Sequence, residues 1–99
     1  MKDTREEILK HATSLAEDIG FNKISYRGVS NRSGLQDGSI QYYFKSIDSL
    51  KNEVVRVSID DGNLRVIGQA IAFEHPLVQE APKQIVTEAI RYLRGLNAG

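Results

Sequence analysis

Residues 34 to 50, GLQDGSIQYYFKSIDSL, hold the densest set of chemically capable side chains in this sequence. Gln36, Asp37, Ser39, Gln41, Tyr42, Tyr43 and Lys45 put two amides, a carboxylate, a hydroxyl, two phenols and an ammonium within ten residues. Such groups exchange hydrogen bonds and place charge. The chemistry they suit is recognition of a polar surface rather than the making or breaking of bonds.

Bond-making chemistry has no comparable set anywhere in the chain. Glu6-Glu7 and Asp60-Asp61 are adjacent rather than facing pairs, which leaves general acid-base work unsupported. His11 falls on the polar side of the first helix with no second histidine at metal-ligand spacing, and His75 precedes a proline. No phosphate loop, nucleophile motif or dinucleotide fingerprint occurs. The expectation is a binding protein, not an enzyme, with no metal and no cofactor.

Ninety-nine residues suit one unit with a core of modest size. Hydrophobic residues at 40% and charged ones at 26% are the proportions of a folded soluble chain, not a disordered one. Cysteine is absent, which excludes disulfides and cysteine-zinc sites. No apolar run approaches membrane-spanning length, and MKDTREEILK is too charged for a signal peptide. A soluble, cytoplasmic protein is expected. Thirteen basic and thirteen acidic residues cancel, which weighs mildly against a nucleic-acid partner. The distribution points the other way. Residues 20 to 56 carry six bases (Lys23, Arg27, Arg32, Lys45, Lys51, Arg56) against three acids (Asp37, Asp48, Glu53), a local +3.

The elements that must position these residues are helical. Thr4 and Glu7 have the spacing of a capping box, and apolar residues follow at Ile8, Ala12, Leu15 and Ile19. A first helix over about Arg5 to Ile19 is predicted, with Gly20 as its left-handed cap. Ser25 suits the cap of a second helix to Ser33, with Tyr26, Val29 and Ser30 inward and Arg27 and Arg32 outward. Gly28 inside it costs about 1 kcal/mol relative to alanine. Gly34 supplies a turn, and a brief third helix from Asp37 to Tyr43 turns Ile40 and Phe44 toward the core. Ser46 caps the next helix, whose stripe from Ile47 continues to Ile71. Asp60-Asp61-Gly62-Asn63 allows either a kink or a break in it. His75-Pro76 ends it. A last helix has Pro82 in its first turn, Gly95 at its end, and one apolar face of Ile85, Val86, Ala89, Ile90 and Leu93. No segment alternates with period two, so the fold class is all-α.

Taken in order, these pieces resemble the TetR (tetracycline repressor) family of transcriptional regulators. The matching residues are Thr4-Arg5 with Ile8-Leu9, Gly20-Phe21, Ser25, Val29-Ser30, Ser33-Gly34-Leu35, Gly38-Ser39-Ile40, Tyr42-Tyr43-Phe44-Lys45 and Leu50. They run through most of residues 4–50 in register and without gaps. The resemblance implies a three-helix, homeodomain-like helix-turn-helix bundle over residues 1–46. After it would come a truncated C-terminal region, 47–99, made of a long fourth helix and one further helix. It also implies sequence-specific binding of double-stranded DNA by a homodimer, a repressor on a palindromic operator.

The DNA-binding set carried by the resemblance is Ser25, Tyr26, Arg27, Gln36, Asp37, Gly38, Ser39, Gln41, Tyr42, Tyr43 and Lys45. Ser39 and Gln41 suit base edges, glutamine pairing with adenine through two hydrogen bonds. Gly38 allows close approach of backbone to the major groove. Tyr42, Tyr43 and Lys45, with Ser25 and Arg27, suit phosphates. For Tyr43, packing beside the first helix is an equal alternative. Ser30, Ser33 and Gly34 are small enough for the crossing of two helices.

The departures from the family pattern matter as well. Gln41 and Ile47 stand where the family usually has a tyrosine and a lysine, both common phosphate contacts. Gln36 replaces a serine cap, and Asp37 repels phosphate unless it accepts from a cytosine amine. Members of the family are normally much longer and bind a small-molecule effector, for which no pocket is evident in this chain. Hence the alternative expectation, a protein-interaction module of antirepressor type that keeps the fold but has lost most DNA affinity.

Overall fold

The computed structural model describes residues 3–98, with side chains for residues 3–95. Gly99, the last residue of the expected second region, lies outside the described residues. The elements are α1 (Thr4–Ile19), α2 (Tyr26–Ser33), α3 (Asp37–Tyr43), α4 (Ile47–Asp61), α5 (Leu64–Ala72) and α6 (Lys83–Ala98). Two 3-10 turns, Phe21–Lys23 and Pro76–Glu80, complete them, and no strand occurs among the described residues. The all-α expectation holds. The chain forms two units, Met1–Val54 and Val55–Gly99, and α4 passes through both.

In the first unit α1 begins one residue earlier than the capping box requires. Asp3 is the cap: its carboxylate accepts from the Arg5 amide at 2.9 Å, and its carbonyl accepts from Glu7 N at 3.0 Å. Thr4 is therefore already helical, and the expected Thr4-Glu7 exchange does not form. The predicted stripe is buried at Ile8, Leu9, Ala12, Leu15 and Ala16, while Ile19 at the end is exposed. Gly20 closes the helix at φ 112°, ψ 146°, an extended backbone of positive φ and not the left-handed helical cap expected.

Gly28 has a reason that the sequence did not give. A Cβ there would stand 2.7 Å from Leu15 Cδ2, so α1 and α2 cross at the bare backbone of this residue. Arg32 is solvent-facing as expected, yet its guanidinium donates to Ser14 Oγ at 2.9 Å and pairs with Asp18 at 2.6 Å. It ties the end of α2 to α1. Gly34 ends α2 in the left-handed region (φ 80°, ψ 0°). The turn is then fixed by side chains, since Ser30 Oγ donates to Leu35 O at 2.6 Å and Leu35 N donates to Ser33 Oγ at 3.1 Å.

In the second unit the long stripe from Ile47 to Ile71 is two helices. Asn63 N donates to Ser58 O at 2.8 Å and Gly62 N to Ile59 O at 3.3 Å, with Gly62 at φ 68°. This paired bonding closes α4. Asn63 Oδ1 then accepts from Val66 N at 3.3 Å and opens α5. One residue pair thus ends one helix and starts the next, and the sequence had left that break open as an alternative. Gly68 meets Leu93 Cγ at a would-be Cβ distance of 2.9 Å, so α5 and α6 pack closely. Residues 76–80 form a 3-10 turn whose start is held by His75 Nδ1 accepting from Leu77 N at 3.2 Å. Pro82 lies just before α6, its carbonyl accepting from Ile85 and Val86 N. The helix passes through Gly95, its expected end, and reaches Ala98.

No helix among the described residues is long and apolar enough to cross a membrane. Gly62 and Gly38 both have open space around a would-be Cβ, but only Gly62 has positive φ. Gly62→Ala should therefore lower the unfolding free energy by about 1 kcal/mol. Gly38→Ala should leave it unchanged or raise it by up to about 1 kcal/mol. Urea denaturation followed by circular dichroism measures both; equal effects of the same sign would contradict the backbone assignment.

Candidate nucleic-acid interface

With seven residues, α3 is too short to be stable in isolation. It is anchored from behind. Ile40 is fully buried and Phe44 is 1% exposed, so these two apolar side chains fix one side of α3 against the first unit's core. At about 100° per residue, the direction opposite Ile40 falls between Gly38 and Tyr42. Asp37 and Gln41 lie on one flank of that line, and Ser39 and Tyr43 on the other.

All six are exposed, Tyr42 at 70% and Tyr43 at 40%. For Tyr43 the structure thus favours a surface position over core packing. Its ring meets Tyr42 edge-on, with centroids 5.1 Å apart and planes at 86°. Lys45 Nζ sits 5.4 Å from the Tyr42 centroid, within cation-π range. The three side chains form one braced patch at the end of α3.

At the other end Gln36 occupies the cap position without a side-chain cap bond. Its carbonyl accepts from Ser39 N and Ile40 N, and its amide group is exposed. Asp37 complements the positive end of the helix. Among the described residues Asp37, Ser39 and Gln41 have no side-chain hydrogen bond or ion pair, so their polar atoms are available to a partner.

The start of α2 supplies the rest of the expected set. Ser25 Oγ accepts from Gly28 N at 3.0 Å and so caps α2, leaving its hydroxyl proton free to donate. Arg27 is exposed. Tyr26 is placed differently from a phosphate contact. It is half-buried, and its hydroxyl donates to Phe44 O at 2.9 Å, so its one donor proton is used inside the protein. That bond sets the first residue of α2 beside the residue ending α3. Arg27 and Lys45, both exposed, are the chain neighbours of the two bonded residues.

Arg5 supports the same place from α1. Its guanidinium lies 5.1 Å from the Phe44 centroid and pairs with Glu53 at 3.1 Å. The pair is partly exposed and contributes no more than about 1 kcal/mol. Tyr26 is inward as expected, but its bond to Phe44 O and the contacts of Arg5 and Arg32 were not foreseen from the sequence. Periodicity reports which side of a helix is buried, not which polar atoms meet across it.

No group of three or more His, Cys, Asp or Glu among the described residues is placed to hold a metal ion. In the second unit an open, mainly apolar cleft of 390 Å³ is lined by residues that include Ile71, Val78 and Val86.

No protein-family profile and no solved structure matches the chain. Among curated proteins it is similar to the HTH-type transcriptional repressor KstR2 of Mycolicibacterium smegmatis, at 30% identity over 56 residues. That match covers 57% of this chain and 27% of the repressor, so the chain spans about a quarter of its relative's length.

The Tyr26–Phe44 bond carries a direct test. Tyr26→Phe keeps the ring and removes only the hydroxyl, and should lower stability by about 1 kcal/mol in urea titration. An unchanged midpoint would mean that the bond does not hold α3.

Proposed function

We propose that the chain is a sequence-specific, TetR-like DNA-binding transcriptional regulator that acts in the cytoplasm as a homodimeric repressor on a palindromic operator. Residues 1–46 are the DNA-binding part and 47–99 a C-terminal helical region. The observation that carries this reading is the exposed face of α3, where Asp37, Ser39 and Gln41 present polar atoms and which is held from behind by Ile40 and Phe44, with Arg27 and Lys45 exposed in the same unit. The similarity to a transcriptional repressor supports it.

In this reading α3 enters the major groove, which is wide enough for a helix. Gln41 pairs with adenine, and Ser39 meets an adjacent base edge. Arg27, Lys45, the Ser25 hydroxyl and the Tyr42 hydroxyl bind phosphates, which sets register and gives most of the affinity. Asp37 accepts from a cytosine amine and penalises other bases at its position. Two copies are needed because two half-sites one helical turn apart require two-fold symmetry. Bound over a promoter, the dimer excludes polymerase.

One observation favours a second reading. Asp37, unpartnered at the leading end of α3, opposes phosphate in a chain with no net charge. An interaction module that modulates another regulator would tolerate it. DNA binding near physiological salt separates the two readings.

Selection of a random duplex library with the purified chain should enrich a palindrome. Arg27→Ala and Lys45→Ala should weaken binding to all sequences alike, each reducing the log-log salt slope by about one. Gln41→Ala should cost about 1–3 kcal/mol at one position of each half-site and little elsewhere. No enrichment by a chain of native helicity would overturn the regulator in favour of the interaction module.

A further inference from the structure

We propose that Gly38 and Tyr42 together form a reader for the 5-methyl group of one thymine in each half-site. The inference rests on the DNA-binding reading and adds a base identity to it.

Glycine at position 38 is unexplained by anything inside the protein. Of the glycines in residues 1–54, Gly20 and Gly34 have positive φ, and Gly28 is pressed against Leu15. Gly38 has neither reason. It lies within α3 outside the positive-φ residues, a Cβ there would meet nothing within 4 Å, and glycine weakens a helix relative to alanine. A bare backbone with open space in front of it is a notch into which something from outside can fit.

Tyr42 stands one turn further along the same outward line. It is 70% exposed, and its ring is braced by Tyr43 edge-on at 5.1 Å and by the Lys45 ammonium at 5.4 Å. A braced ring loses little freedom when a ligand packs on it. The centre of the α3 face is thus apolar and recessed at Gly38, and apolar and raised at Tyr42. Ser39 and Gln41 flank it with polar atoms. The thymine methyl is the apolar feature that the base pairs present in the major groove. Hydrogen-bonding edges on either side of it would meet the polar flanks.

The tyrosine hydroxyl is not needed for this contact and remains free for phosphate. That separates the two roles by substitution. Tyr42→Phe keeps the ring, and Tyr42→Ser removes it; both change an exposed side chain and should leave helicity intact.

The test uses the full chain and a duplex that it enriches from a random library. Each thymidine is replaced in turn by deoxyuridine, which deletes only the methyl. One position in each half-site should lose about fourfold in affinity, the worth of one buried methyl. Tyr42→Phe should keep that thymine-to-uracil ratio, and Tyr42→Ser should bring it close to one. Gly38→Ala, which puts a methyl of its own into the notch, should also reduce the ratio. An enriched duplex indifferent to uracil at every position would overturn the methyl reader and leave the DNA-binding reading standing. So would a ratio that survives Tyr42→Ser. Failure to enrich any duplex with a folded chain would remove both.

Discussion

A helix of seven residues cannot hold itself, and the first unit is organised around that constraint. The cost of ordering a short helix is met by neighbours instead of by its own hydrogen bonds. Ile40 and Phe44 supply the apolar anchor, each removed from water almost completely. Tyr26 holds the last carbonyl region through Phe44 O, and Ser30 holds the turn before α3 through Leu35 O. Because both ends are tied by side chains of α2, α3 and α2 behave as one piece. The exposed face can then be given largely to side chains that the fold does not need for packing.

The same logic explains how α2 is kept in place. It has eight residues, and Val29 is its one fully buried side chain. Close approach at Gly28 compensates, bringing its backbone near Leu15 where dispersion contacts are many. Arg32 adds a charged clamp to Ser14 and Asp18 near the end of α1. Arg32 belongs by type to the positive charge that the sequence shows around the α3 segment, yet its charge is spent within the protein. The charge left for a partner is therefore smaller than the sequence count suggests, with Arg27 and Lys45 both exposed.

Much of the architecture was legible because apolar spacing and turn residues are local signals. The stripe of α1, the Ser25 cap, the Gly34 turn and the inward pair Ile40 and Phe44 all follow from neighbours within a few positions. The exposed α3 face followed too, as the complement of that pair. What was hidden depends on residues distant in sequence. Tyr26 and Phe44 are separated by 18 positions, as are Arg32 and Ser14, and no pattern in one segment announces the other. Asp3 displaced Thr4 as cap because both are good caps and only geometry chooses. Gly95 misled because a glycine near a helix end resembles a stop signal but does not compel one.

The break at Gly62-Asn63 has a consequence for how the two stretches around it can vary. Along a continuous helix each inserted or deleted residue rotates everything beyond it by about 100°. An apolar stripe extending from Ile47 to Ile71 would then be locked in phase from end to end. The Gly62-Asn63 junction cancels that dependence, because α5 starts afresh from the Asn63 cap whatever the azimuth at which α4 stops. Length changes at the junction are absorbed in the connection, while those within either helix turn its buried side toward water. Between Ile47 and Ile71, a change of length is thereby least disruptive at the Gly62-Asn63 connection, where it need not rotate the buried side of either helix.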